Sequence, residues 1–257
     1  MTRRDEYYNR AKQEGYRARS AYKLRQLDDD AGLLPTGGTV VDLGAAPGGW
    51  LQVAAERVGP DGRVVGVDRQ RIRPLDDPGA TVETVRGDLT DEGTRERLRE
   101  VVGEGGADAV LSDMAPEMTG EYEVDHARSV HLARQALEAA LAVLAPGGDF
   151  AAKAFDGRDL ADLREAIDAE FEYVREMRPA ASRDASSELY LVGKGRLTAP
   201  VRAGDELTVD VVDTGSEGDG VATVDGYTIF VSGADEGETV PVRVTEVKPR
   251  FGFAERR

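Results

Sequence analysis

The chain of 257 residues has no cysteine, two histidines and one tryptophan. Without thiols it can form no disulfide and build no thiolate metal site, so a reducing cytoplasm is the expected compartment. His126 and His131 lie five apart on an expected helix and do not share a face, so surface or packing roles are expected rather than metal ligation. No run reaches the roughly 18 to 20 uncharged apolar residues of a membrane helix. The most apolar helical stretch, Leu137 to Leu144, is short and contains Glu138. The opening Met-Thr-Arg-Arg-Asp-Glu has no apolar core of a signal peptide. Lysine is scarce too: only Lys12, Lys23, Lys153, Lys194 and Lys248 occur, and arginine fills nearly every other basic position. A lysine kept against that habit points to a site wanting a compact or deprotonatable amine.

What is present in excess is acid. The formal net charge is −16, which at first sight argues against a nucleic-acid partner. Its distribution matters more, because residues 1–27 carry a local balance of +5 through Arg3, Arg4, Arg10, Lys12, Arg17, Arg19, Lys23 and Arg25. Acid-rich, lysine-poor composition resembles that of proteins from salt-loving microbes, where the Debye length falls to about 3 Å at 1 M salt and self-repulsion is screened. An apolar fraction of 40% supports a substantial core, and the length fits one large domain plus a small module.

From Thr39 to about Lys194, β-branched runs alternate with helical patterns. Strands are expected at Val40–Leu43, Val64–Val67, Val82–Val85, Ala109–Leu111, Phe150–Ala152, Tyr173–Met177 and Leu189–Val192. Helices are expected near Gly49–Arg57, Thr94–Val102, Val124–Leu144 and Leu160–Glu170, with a preceding helix over Arg17–Asp30. This alternation predicts an α/β doubly wound, mostly parallel Rossmann-like sheet. The last two strands have no helix between them and should pair as an antiparallel hairpin at one edge. At about Arg196 the pattern changes to five short strands, Leu207–Val212, Val221–Val224, Tyr227–Val231, Val240–Val247 and Phe251–Glu255, broken by Gly/Asp turns. That predicts a small OB-like closed β-barrel, with domains at 1–195 and 196–257.

The segment Val40 to Trp50 ends a buried strand in a glycine-rich turn that opens a helix, a device for bringing backbone amides to a nucleotide-like ligand. Ala46-Pro47 stands where a pyrophosphate would need backbone room, and proline removes a donor, so a ligand without phosphates is favoured. S-adenosylmethionine fits. The turn can accept its amino-acid end, Asp68 can bond the ribose hydroxyls, and Asp88 can receive the exocyclic amine of adenine. A lone strand-end acid is also a good helix N-cap, but Asp68, Asp88 and Asp113 close successive strands. Trp50 is read equally as core packing and as a ligand contact.

Five segments together carry a close resemblance: Arg19-Ser-Ala-Tyr-Lys23-Leu, Asp-Leu-Gly-Ala-Ala-Pro-Gly-Gly-Trp (42–50), Ser-Asp-Met-Ala-Pro (112–116), Leu-Ala-Pro-Gly-Gly-Asp-Phe-Ala-Ala-Lys (144–153) and Ser-Ser-Glu-Leu-Tyr-Leu-Val (186–192). Over about residues 15–195 the chain resembles the FtsJ/RlmE family of S-adenosylmethionine-dependent 2′-O-ribose methyltransferases, here of a halophilic archaeal type. The resemblance implies Gly48, Trp50, Asp68, Asp88 and Asp113 as cofactor contacts, and Lys153, Lys23, Asp113 and Glu188 as the catalytic set. The tail, through Gly-Ser-Glu-Gly-Asp-Gly-Val-Ala (215–222) and Val-Arg-Val-Thr-Glu-Val-Lys (242–248), resembles a TRAM RNA-binding domain. The bacterial form of the enzyme lacks such a tail.

The resemblance makes Lys153 the base in an in-line methyl transfer to a ribose hydroxyl. A free lysine near pKa 10.4 is mostly charged. Burial, the sulfonium and Lys23 would lower that value, whereas Asp113 and Glu188 would raise it. A neutral Lys153 acting as base and a charged Lys153 stabilising the developing alkoxide therefore both stand. Phe150 and Phe155 point to partial burial of Lys153. Taken singly, Lys23 and Glu188 read as surface residues of a helix and of a sheet edge.

For RNA contact, the basic N-terminus interleaves Tyr7, Tyr8, Tyr16 and Tyr22, able to stack on unpaired bases, although a solvated amphipathic helix accounts for the same pattern. In the tail, Arg243, Lys248, Arg250, Phe251 and Phe253 form the one basic-aromatic cluster, with barrel packing the expected role of both phenylalanines. The implied substrate is a uridine of large-subunit (23S) ribosomal RNA, in the peptidyl-transferase region, presented as RNA or as a large-subunit precursor. No membrane contact and no obligatory protein partner are evident. A transfer RNA is the alternative substrate, and a non-catalytic RNA-binding assembly factor is the alternative class. Extra cap-binding machinery is absent at this size, and a dinucleotide oxidoreductase conflicts with Ala46-Pro47.

Overall fold

A computed structural model describes residues 3–182, 187–215 and 218–257, with side chains from Glu6 onward. Ser186 of the 186–192 motif, Ser216 and Glu217 of the tail motif, and the side chains of Arg3 and Arg4 lie outside the described residues.

The β-branched runs form strands β1 (Thr39–Leu43), β2 (Arg63–Asp68), β3 (Thr81–Arg86), β4 (Ala107–Ser112), β5 (Leu144–Phe155), β6 (Phe171–Met177) and β7 (Glu188–Arg196). They make one sheet in the order β3-β2-β1-β4-β5-β7-β6. β1 to β5 run parallel, and β7 pairs antiparallel with both β5 and β6, which gives the expected edge hairpin. Parallel strands are buried on both faces, hence their continuous apolar runs.

Alternation sorts the side chains of each strand onto two faces. Val40, Val64, Ala109, Leu111, Ala151, Tyr190 and Val192 pack against α2 (Ala21–Ala31) and α3 (Gly49–Val58). Val41, Val65, Val110, Phe150, Ala152, Leu189 and Leu191 pack toward α4 (Glu92–Val102), α5 (Tyr122–Leu141) and α6 (Leu160–Asp168). Lys153 is two residues from Ala151, and Glu188 is two from Tyr190. Their side chains therefore belong to the α2 face. A further helix, α1 (Arg3–Glu14), packs on α2 through Ala11 and Tyr22.

Three expectations need correction. The helix expected over Arg17–Asp30 begins at Ala21, because the preceding segment turns at Gly15 and is anchored by Arg17 to other loops. Leu144, placed in a helix, instead starts β5; α5 stops at Leu141, and Pro146 with Gly147 at φ +83° gives an irregular entry with a register shift against β4. Phe251 and Phe253, assigned to barrel packing, are 38% and 37% exposed, since their register places them on the outer surface while Gly252 and Ala254 point inward.

The tail strands β8 (Glu206–Thr214), β9 (Gly220–Val224), β10 (Tyr227–Ser232), β11 (Thr239–Val247) and β12 (Phe251–Arg256) close into a barrel, order β10-β12-β11-β8-β9. Its interior is filled by Val209, Val211, Ile229, Val231, Val240, Val242 and Val244. The β11–β12 turn, Lys248 to Phe251, shares a crevice with Asp108, Ala145, Gly147, Gly148 and Glu172. The barrel thus meets the sheet at the amino ends of β4 and β5.

Candidate active site

At the opposite, carboxyl edge of the sheet, four distant segments converge. Asp113 follows β4, Lys153 lies near the end of β5, Glu188 opens β7 beside it, and Lys23 projects from α2. Lys153 Nζ donates to Asp113 Oδ1 at 2.9 Å and to the Asp113 backbone carbonyl. Lys23 Nζ pairs with Glu188 Oε1 at 2.6 Å and stands 3.9 Å from Asp113 Oδ1. Both lysines are buried. The surface-residue readings of Lys23 and Glu188 are therefore excluded, the Glu188 side chain being 11% exposed. The burial of Lys153 agrees with the expectation from its phenylalanine neighbours, and two lysine amines face two carboxylates in one small volume.

Burial alone would raise the Asp113 carboxyl, but Lys153 and Lys23, with hydrogen bonds from Lys153 and Tyr190, hold it below the ordinary carboxylate value. It is an ionised acceptor. Ser182 Oγ donates to Glu188 Oε1 at 2.7 Å and fixes the second carboxylate.

The Val40–Trp50 loop lies on the same edge. Gly48 sits at φ +106° immediately before α3, a conformation open to glycine, and a Cβ there would lie 2.9 Å from the Arg17 guanidinium. That guanidinium donates to the carbonyls of Pro47, Arg73 and Pro74 and ties the loop to the segment after β2. Asp68 accepts from the Ala46 N–H at 2.9 Å and the Gln70 N–H at 2.7 Å, so it shapes the loop while each oxygen keeps a lone pair for a ligand. Asp88 is held below its ordinary pKa by the Thr90 N–H and hydroxyl on Oδ1, with Arg69 3.7 Å from Oδ2. Trp50 is only 3% exposed; it stacks on Tyr190, and its indole N–H donates to the Ser20 carbonyl. Lys23, Asp113, Lys153 and Glu188 thus converge, Gly48, Asp68 and Asp88 lie along the same carboxyl edge, and Trp50 follows its core-packing reading.

The sequence profile of FtsJ-like methyltransferases matches residues 16–196, and that of the TRAM domain matches residues 200–256. The chain belongs to the FtsJ-like methyltransferase family. It is 65% identical over 260 residues to the ribosomal RNA large subunit methyltransferase E of Haloarcula marismortui, covering 99% of both chains. It is 67% identical to the protein of that name from Natronomonas pharaonis, again covering 99% of each, and 46% identical to that of Methanosarcina mazei, covering 98% of this chain and 92% of the other. Among solved structures, a ribosomal RNA methyltransferase of Plasmodium falciparum is 26% identical with a TM-score of 0.60, covering 70% of this chain and 98% of that one.

In this FtsJ-like methyltransferase two residues that sequence reasoning passed over lie beside the expected ones. Tyr190, fully buried, donates its hydroxyl to Asp113 Oδ1 at 2.6 Å, and burial followed by the Asp113 charge keeps the phenol protonated. Strand alternation carried the signal, because Tyr190 is two residues from Glu188 and must share its face. Asp42, buried in mid-strand, has Oδ2 without a hydrogen-bond partner, and its carboxyl is pushed well above the ordinary range by burial, then by Asp113 and Asp68. An acid inside an otherwise apolar parallel strand was its visible sign.

The N-terminal tyrosines are largely engaged with one another, which corrects their reading as free stacking groups. Tyr7 and Tyr16 pack on the buried Tyr22 at 5.4 and 5.7 Å, and only Tyr8 stands well exposed. His126 is a packing residue and His131 is exposed; among the described residues, no group of three or more His, Cys, Asp or Glu is placed to hold a metal.

Proposed function

We propose that this chain is an S-adenosylmethionine-dependent RNA methyltransferase that modifies the 2′-hydroxyl of a uridine in 23S ribosomal RNA. The observation that carries the reading is the convergence of Lys23, Asp113, Lys153 and Glu188 beside a glycine-rich loop. Full-length relatives named for large-subunit ribosomal RNA methylation support the substrate.

The residues present fit the cofactor. Asp68, Asp88 and Asp113 close three successive strands, and these acids suit a cationic ligand. Arg17, Arg71 and Arg73 line the outer side of the loop at Ala46 and Pro47, where a carboxylate end could meet them. Bound there, S-adenosylmethionine supplies a methyl group activated by its sulfonium. Gly48 leaves backbone room, Asp68 and Asp88 offer acceptors for ribose and adenine, and Trp50 backs the pocket wall.

The protein's own groups then manage the ribose hydroxyl. Lys153 Nζ lies where it can hydrogen-bond the attacking oxygen; once its resting proton has passed to solvent, the neutral amine takes the hydroxyl proton. Asp113 at 2.9 Å stabilises the ammonium so re-formed. Tyr190 shares Asp113 Oδ1 and keeps that carboxylate oriented. Lys23, held by Glu188, adds positive potential where alkoxide charge develops. Positioning of this kind supplies several kcal/mol of rate acceleration.

Residues 1–195 form the catalytic unit in this reading, and residues 196–257 an RNA-capture unit working in the cytoplasm, where ribosomal subunits are built. Phe230, Phe251 and Phe253 cluster on the outer barrel surface with centroids 5.6 to 5.8 Å apart, next to Arg250, and present faces for unpaired bases. Lys153→Ala should abolish methyl transfer to large-subunit RNA while cofactor binding, followed by calorimetry, persists. Turnover retained by that variant at saturating RNA would remove Lys153 from the chemistry. Mapping of ribose methylation in a deletion strain decides between ribosomal and transfer RNA.

A further inference from the structure

Met118, Tyr122 and Val124 are all exposed, and they sit together on the segment that leaves Asp113 and enters α5. Tyr122 is 54% exposed, yet its ring is fixed. The hydroxyl donates to the Asp156 carbonyl at 2.5 Å. The ring runs nearly parallel to the imidazole of His126, 12° between planes with centroids 6.5 Å apart. His126 is itself locked and buried: Nδ1 meets the Phe155 carbonyl at 3.0 Å and Nε2 accepts from the Asp159 N–H at 3.2 Å. Asp125 accepts from the Thr119 and Gly120 amides, which pins the chain just ahead of the ring.

The place is as informative as the rigidity. Asp156 is three residues beyond Lys153, about 10 Å along an extended chain. Its own N–H donates to the carbonyl of Ser187, the residue before Glu188. Tyr122 therefore stands at the rim of the active site, on the α5 side of the sheet, across from Lys23 on α2. A fixed, half-open aromatic ring can stack a flat group without losing side-chain freedom. Exposed Glu121 and Glu123 flank it, so a phosphate is disfavoured and a neutral nucleobase is the fitting occupant.

We propose that Tyr122 stacks an unpaired base adjacent to the methylated nucleotide and so positions the target ribose at Lys153. The inference rests on the RNA methyltransferase reading above. Because base stacking is nearly indifferent to salt whereas phosphate pairing is not, such a contact suits a protein of net charge −16 in concentrated salt.

The test compares wild type, Tyr122→Phe and Tyr122→Leu on transcribed large-subunit ribosomal RNA with a labelled methyl donor. It is joined by fluorescence titration of single-stranded RNA carrying 2-aminopurine beside the nucleotide found methylated. Wild type should methylate the transcript and quench the probe. Tyr122→Leu should raise KM for RNA by about tenfold with kcat and cofactor affinity near wild type, and should lose the quenching; Tyr122→Phe should keep both, since the ring remains. A leucine variant that keeps KM and quenching, or that loses only kcat, overturns the stacking assignment. Loss in the leucine variant accompanied by equal loss in the phenylalanine variant overturns it too, since the hydroxyl anchor would then be what matters. If wild type transfers no methyl group to any RNA, the underlying reading fails instead.

Discussion

Asp42, buried within β1, and Asp113, part-buried just beyond β4, are neighbouring carboxyl groups whose surroundings drive them in opposite directions. Asp113 faces Lys153 and Lys23 and stays ionised; Asp42 faces two other acids and has an oxygen without a partner. The consequences for stability have opposite signs. A carboxyl whose folded pKa is raised binds a proton in the native state that the unfolded chain, near pKa 3.9, has already lost. Stability then falls as pH rises from about 4 toward the folded value. Asp42→Asn removes that slope, so the melting temperature of the variant should gain on wild type with rising pH across this window. A constant difference would show that Asp42 does not titrate as its burial requires. Asp113 contributes stability above the ordinary carboxylate pKa and loses it as pH falls through its depressed value. At this scale the sequence was informative in an uneven way. The scarcity of lysine marked five positions alike; Lys23, Lys153 and Lys194 have internal partners, while Lys248 pairs with Glu246 at the surface. Nothing in periodicity could bring Lys23 to Glu188 across 165 positions, and only the family resemblance joined them.

At the scale of elements, hydrophobic alternation made the strands legible, because burial on both faces leaves continuous β-branched runs that few other structures tolerate. Ends were less visible. Pro146 and Gly147 hid the irregular start of β5, and the carboxyl end of β5 owes its form to a helix. Beyond Ala152, β4 no longer pairs with β5, and Ser129 Oγ accepts from the Phe155 N–H while His126 meets the Phe155 carbonyl. Two side chains of α5 thus replace a missing strand just past Lys153. Gly157 is required there, since a Cβ would lie 2.5 Å from the His126 ring. Helix α4 offers a cleaner measurement: Asp91 caps it through the Thr94 N–H at 3.1 Å. Asp91→Ala should cost about 1 kcal/mol of unfolding free energy, read by chemical denaturation, without changing methyl transfer. A loss of activity larger than the loss of folded protein would mean that α4 does more than cover the sheet.

Across the whole molecule, composition and segment order gave the two units and their order, but not where they touch. The barrel strands announced themselves through Gly/Asp turns, while the outward turn of Phe251 and Phe253 depended on a register that short strands do not encode. Replacing both phenylalanines by alanine should raise KM for full-length large-subunit RNA by about tenfold and leave a short oligonucleotide containing the target nucleotide unaffected. Equal losses on both substrates would mean that the barrel surface acts within the catalytic cleft.

That expectation follows from the crevice joining the Lys248–Phe251 turn to the start of β4 and β5. From Asp108, at that crevice, to Asp113 the strand runs about 16 Å, with the body of the sheet in between. The catalytic edge and the barrel surface thus occupy opposite margins of one sheet, like the two points of a pair of callipers. In the reading proposed above, an RNA that reaches both margins is held at two points, and one confined to the catalytic edge is held at one.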